Sequence, residues 1–99
     1  IATQSLVTQY QRDAAVIIWV LQQANGKCES CEKPAPFNRS DGQPFLEVHH
    51  VRQLAYNGSD TVTNAVALCP NCHREFHHGE NSKTLILQIY ERVARLVRE

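Results

Sequence analysis

A chain of 99 residues has room for one domain near the lower limit of independent stability, so a structural metal would contribute appreciably to its folding. Its 42% apolar content is that of a globular protein, and ten Lys and Arg balance ten Asp and Glu. That balance counts against a module that holds nucleic acid by bulk charge alone, and the longest apolar run, Ala14 to Leu21, is too short to span a membrane. No secretory or targeting pattern is visible, so the expected location is cytoplasmic. The chain begins at Ile1 and is expected to be a single domain cut from a longer protein.

Residues from about 6 to 24 are predicted to form a helix. Tyr10, Ala14, Ile17, Leu21 and Ala24 recur at helical spacing with Val20 beside them, and Ile18 and Trp19 widen the stripe enough to be covered on more than one side. Asn25-Gly26 is a stop signal, because glycine accepts the left-handed conformation that ends helices. Cys28-Glu29-Ser30-Cys31 reads as a turn, followed by a loop containing Pro34, Pro36, Asp41-Gly42 and Pro44. Phe45 to His49 reads as a strand. A turn at Asn57-Gly58-Ser59-Asp60 separates it from a second strand, Ala65 to Leu68, suited to pair antiparallel with it. Pro70 suits the first turn of a helix and Gly79 its end, giving a short helix that carries Cys72, His73 and His77. A last amphipathic helix is predicted from about 84 to 98. It is capped by Ser82 or Thr84, with Leu85, Ile86, Ile89, Tyr90, Val93, Leu96 and Val97 on the face expected to pack on the first helix.

The chemistry is concentrated in the middle of the chain. Cys28, Cys31, Cys69 and Cys72 form two CxxC pairs, each able to place two thiolates on one tetrahedral zinc. Disulfides or a redox pair are the alternatives, but nothing else suggests secretion, and no thioredoxin-like βαβ pattern surrounds Cys28 and Cys31. Four sulfurs leave no position for substrate, so such a zinc is structural.

All five histidines lie between residues 49 and 78. His73 and His77, four apart on a helix, share a face, and His49 at the end of the first strand can supply a third ligand. Three imidazoles favour manganese, cobalt, nickel or zinc over magnesium, and fewer than four protein ligands leave room for water or phosphate. His50 would point away from His49 in a regular strand, and it can serve the same site only if the chain bends just after it. It would then be placed to act as a general base. Asn64 can donate and accept, and so could tie the loop after His50 to the hairpin. Glu47 shares the face of His49, where it can orient that or another histidine, or simply be exposed. Arg52 and Arg74 flank the site as candidate phosphate contacts or solvated side chains. His78 is expected to face solvent, and His73 could instead be a spare ligand for the cysteine zinc.

Taken together, Leu46-Glu47-Val48-His49-His50-Val51, the run Asp60 to His73, and His77 resemble the HNH (ββα-metal) endonucleases. With Cys28-Glu29-Ser30-Cys31 the resemblance covers about residues 26 to 79 and extends to the zinc-containing subgroup. Within the family the chain is similar to nuclease domains of bacterial modification-dependent restriction enzymes. The resemblance implies an α+β fold, a ββα hairpin-helix unit with structural zinc and flanking helices. It makes His49, His73 and His77 ligands of one catalytic divalent metal (Mn2+, Ni2+, Co2+, Zn2+ or Mg2+), His50 the general base, and Asn64 the residue that fixes the loop carrying that base. DNA is the expected substrate and partner. A separate reading domain is expected in the full-length protein, and a homodimer would supply the two active sites that double-strand cleavage needs. A non-catalytic zinc module for nucleic acid or protein is the competing reading, and it leaves the clustered histidines without a purpose.

Overall fold

The computed structural model describes residues 12–99; the part of the predicted first helix before residue 12, including Tyr10, lies outside them. Among the described residues, helix α1 runs from Ala14 to Ala24. Asp13 caps it by accepting a hydrogen bond from the Ala15 N–H at 2.8 Å, which satisfies one of the orphan amides of the first turn. It stops where expected, with Asn25 at φ 51° and Gly26 at φ +81° both left-handed.

Strand β1 spans Glu47–His50 and strand β2 Ala65–Leu68. They pair antiparallel in the register Glu47 to Leu68 through His50 to Ala65. The first strand therefore starts two residues later than its sequence pattern indicates. Phe45 is held by the preceding loop instead, donating its N–H to Phe37 O at 2.9 Å and stacking its ring on Phe37 with centroids 4.7 Å apart. Helix α2, Pro70–His78, follows β2 directly with Pro70 in its first turn.

Helix α3 spans Ser82–Arg92, shorter than the predicted 84–98, and Asn81 rather than Ser82 or Thr84 occupies its N-cap position. From Val93 the chain turns back over the hairpin, and Val97 N–H bonds Thr63 O at 2.9 Å. Arg95 secures that return: its guanidinium holds Glu29 through two bonds of 2.7 and 2.8 Å and reaches the carbonyls of Val62 and Ala65. Glu29 in turn accepts from the Ala67 N–H, so one carboxylate covers the free edge of β2 and anchors the C-terminal segment.

α3 also packs chiefly on α2, not on α1 as expected. α1 lies across β2 and contributes Val16, Val20 and Ala24 to a core shared with Leu46, Val48, Val66, Leu68, Phe76 and Ile89. Among the described residues a second side of α1 is left open at Ile18, which is 56% exposed, while Trp19 lies beneath the Arg95 guanidinium, 5.4 Å from its ring centroid. The wholly buried Leu68, Ile89, Val20 and Val66 belong to one core to which α1, the hairpin and α3 all contribute. No helix among the described residues is long and apolar enough to cross a membrane.

Candidate metal centre and active site

Each cysteine pair closes a tight turn of its own. The Cys31 N–H points at Cys28 Sγ (3.5 Å) and the Cys72 N–H at Cys69 Sγ (3.4 Å), and left-handed Glu32 (φ 66°) folds the first turn back on itself. Cys69 doubles as the N-cap of α2. The Glu29 N–H bonds Ala67 O at 2.8 Å, which lays the first turn beside β2 and brings all four sulfurs within 4.8 Å of one another. The thiols are unbridged. Burial raises the Cys28 thiol, but backbone N–H groups of Cys31, Cys69 and Ser30 outweigh it and leave the thiol below its ordinary value. Cys31 and Cys72 are pushed up, first by burial and then by the neighbouring sulfurs. Four crowded thiols cannot all ionise without a cation among them, and the donor set is that of a closed tetrahedral zinc.

The second group is formed by β1 and α2. His49, His73 and His77 each present a ring nitrogen within 4.8 Å of the others. Nε2 of His73 and Nε2 of His77 face each other at 3.2 Å, close to the roughly 3.3 Å edge of a tetrahedron with metal–nitrogen bonds of about 2.0–2.1 Å. His49 is buried, and burial above all, followed by the charges of His73, His77, His50 and Arg12, depresses its pKa to about 3. Its imidazole is therefore neutral, as a metal ligand must be. Desolvation and the charges of His73 and His78 lower His77 in the same direction. Glu47 lies 2.9 Å from Nδ1 of His73, so of the three readings open to it the geometry favours a partner for a histidine other than His49. An Nδ1–H donated to that carboxylate leaves Nε2 of His73 free toward His77.

His50 pairs with Ala65 at the last position of β1, and the chain bends at residues 51 and 52. His49 and His50 thereby line one open pocket of about 250 Å³ together with Arg12, Gln53, Leu54, Ala55, His73 and His77. Asn64, wholly buried, holds the bend. Its Oδ1 accepts the Arg52 N–H at 2.9 Å, and its Nδ2 donates to Arg52 O at 2.9 Å and Ser59 O at 2.8 Å. Gly58 belongs to the same packing, because a Cβ there would stand 1.7 Å from Arg52 O. Arg52 and Arg74 are exposed and do not line the pocket; Nε of Arg52 donates to Tyr56 O. His78 is exposed and outside the histidine group.

The sequence expectations leave out two residues of the site, one lining the pocket and one reaching His50 from outside it. Arg12, whose guanidinium donates to Val48 O at 3.2 Å, brings the cation that the flanking arginines do not. Asp60 meets Nε2 of His50 at 2.8 Å. Arg12 lies off the apolar stripe of the predicted first helix and Asp60 sits among turn-forming residues, so no local pattern distinguishes either.

Comparison with known proteins accords with this geometry. Residues 28–79 match the model of the HNH endonuclease family. The chain is 51% identical over 96 residues to the Type IV methyl-directed restriction enzyme EcoKMcrA of Escherichia coli (strain K12), covering 97% of this chain and 35% of that enzyme. Among solved structures it resembles the Type IV phosphorothioation-dependent restriction endonuclease ScoMcrA (TM-score 0.75, 34% identity, 85% of this chain and 18% of that one). It also resembles the modification-dependent TagI restriction endonuclease (TM-score 0.59, 30% identity, 69% and 24%). The chain thus spans about a third of the length of that Escherichia coli enzyme and less of the two solved chains. A two-stranded hairpin running into a helix, a four-cysteine group behind it and a histidine pocket in front place this chain in the HNH endonuclease family.

Proposed function

We propose that the chain is the metal-dependent DNA-cleaving module of a modification-dependent restriction enzyme. The observation that carries this reading is the open pocket in which three convergent imidazoles stand beside a fourth, His50, that lies outside their group. A zinc module alone has no use for that arrangement.

His49, His73 and His77 would hold the divalent metal, leaving positions for water and a phosphate oxygen. When bound, the metal supplies Lewis-acid stabilisation of the charge that develops on the phosphate and the leaving 3′ oxygen. The remaining work falls to the chain itself. Glu47 holds the His73 ring in place, and burial keeps His49 neutral. His50 takes a proton from the attacking water, Arg12 offers its guanidinium to a DNA phosphate, and Asn64 fixes the loop beyond His50. Cys28, Cys31, Cys69 and Cys72 hold a structural zinc that clamps the first turn to the strand–helix junction.

The three similar enzymes are described by different DNA modifications or by modification in general. A nuclease unit common to them supports assigning the reading of the modification to segments outside these 99 residues, in keeping with the neutral charge. A homodimer would bring two such sites to the two strands, in the bacterial cytoplasm.

The test is a nicking and cleavage assay on modified and unmodified plasmid across a metal series. His50→Ala should cleave about 10²- to 10⁴-fold more slowly, because general-base help is typically worth that much, while remaining folded and metal-binding. Undiminished cleavage by that variant would refute the role given to His50.

A further inference from the structure

The buried ring of His50 is gripped from a direction its sequence neighbours do not reach. Oδ1 of Asp60 lies 2.8 Å from its Nε2, and Oδ2 of the same carboxylate accepts the Asp13 N–H at 2.5 Å. Asp13 itself caps α1. Asp60 therefore joins the base of the hairpin to the start of the first helix, with one oxygen committed to each. Its loop is held independently. Asn64 bonds Ser59 O, the Ser59 N–H donates to Glu99 at 2.8 Å, and the Ser59, Thr61 and Thr63 hydroxyls form a chain at 2.8 and 3.0 Å. The carboxylate is placed by its surroundings and does not swing to find the ring.

A carboxylate only accepts hydrogen bonds, and a neutral imidazole carries one N–H. Burial raises the Asp60 carboxyl, but the Asp13 N–H and the His50 ring together hold it below its ordinary value, so it is ionised near neutrality. The nitrogen facing it must then be the protonated one. That puts the proton on Nε2 and the lone pair on Nδ1.

We propose that Asp60 is a positioning residue for the cleavage step, setting the tautomer and orientation of His50 so that Nδ1 is the atom that receives the proton of the attacking water. The inference rests on the reading of His50 as the general base. In the step, a water O–H bond breaks and its proton passes to Nδ1 as the oxygen bonds phosphorus and the P–O3′ bond breaks, the leaving 3′ oxygen taking a proton from solvent to become a 3′ hydroxyl. The imidazolium formed is stabilised by the Asp60 carboxylate across Nε2–H, and it later returns its proton to solvent. Carboxylate partners of metal-bound histidines are typically worth about 10- to 100-fold in affinity or activity, and an effect of that order or larger is expected for the partner of a working base.

The experiment combines two readouts on the protein with its zinc retained. Long-range proton–nitrogen correlation spectra of the histidine side chains should show His50 as the Nε2–H tautomer. Asp60→Asn, nearly the same size and still able to accept from the Asp13 N–H, should shift His50 toward the Nδ1–H form. It should also lower kcat for plasmid cleavage about 10- to 100-fold or more, with KM for DNA and manganese affinity unchanged. An Nδ1–H tautomer in the wild type would overturn the proposal without any variant. So would an Asp60→Asn protein with wild-type kcat, or one that loses only DNA or metal affinity. If Asp60→Asn fails to fold, the wild-type spectrum decides alone. An active His50→Ala protein would instead defeat the reading of His50 as base, an outcome separable from the tautomer.

Discussion

Asn64→Ala removes a side chain that is wholly buried and makes three hydrogen bonds to backbone groups of the loop after β1. At about 0.5–1.5 kcal/mol for each bond, the loss should be roughly 1.5–4.5 kcal/mol. For a domain near this size each kcal/mol lowers Tm by about 4–8 °C, so the midpoint should fall by roughly 12–24 °C around the central estimate of about 3 kcal/mol. Total stabilities of about 5–15 kcal/mol leave room for the variant to remain folded at moderate temperature. Urea and thermal unfolding with zinc present measure the effect directly. Asn64→Asp sharpens the test: its carboxylate can still accept the Arg52 N–H but cannot donate to Arg52 O or Ser59 O, so at neutral pH it should be at least as damaging as alanine. An Asn64→Ala protein within about 0.5 kcal/mol of wild type would refute the claim that this side chain holds the loop.

Two further outcomes concern pH and zinc. The folded pKa of His49, about 3, lies below its ordinary 6.5, so the unfolded chain takes up a proton that the folded one refuses as pH falls. In the protein without metal at its histidines, stability should therefore drop between pH 6.5 and 3, by at most about 1.4 kcal/mol per pH unit from this group. Urea titrations of wild type and His49→Gln should show the acid loss reduced in the variant, and equal slopes would contradict the assignment. Cys72→Ser, or a strong chelator, should remove the zinc and unfold the domain in circular dichroism. Apparent zinc-binding energies of about 10–16 kcal/mol rival the whole stability expected of so small a core. A folded, zinc-free protein would show the cysteine group to be dispensable.

Much of the hairpin was legible because its signals are local. Ala65–Leu68 is a short apolar run between a turn and Pro70, and it forms a strand with those bounds. The CxxC turns and the spacing of His73 and His77 are written in sequence separation alone, and the structure brings each set together. The C-terminal helix shows where periodicity misleads. Val93 and Leu96 continue the apolar pattern, yet Val93 is buried and Leu96 partly buried by a turn that sends Arg95 to Glu29, an ion pair across 66 residues that no local pattern encodes. The placing of α3 on α2 rather than on α1 is likewise a tertiary outcome. The same limit hides Asp60 and Arg12: a turn aspartate meets His50, and an arginine beside the start of α1 reaches the pocket, only once Asn64 has folded the loop and α1 has crossed the sheet.

On the proposed function, two neighbouring sites divide the work, one closed by sulfur and one open at histidine. Metal content by mass spectrometry and calorimetry of wild type and a His49→Ala, His73→Ala double variant tests it most directly. Both proteins should carry one tightly held zinc per chain, and the wild type alone a second, weaker divalent site, lost in the variant together with DNA cleavage. A double variant that keeps the second site, or that loses the tight zinc as well, would contradict it.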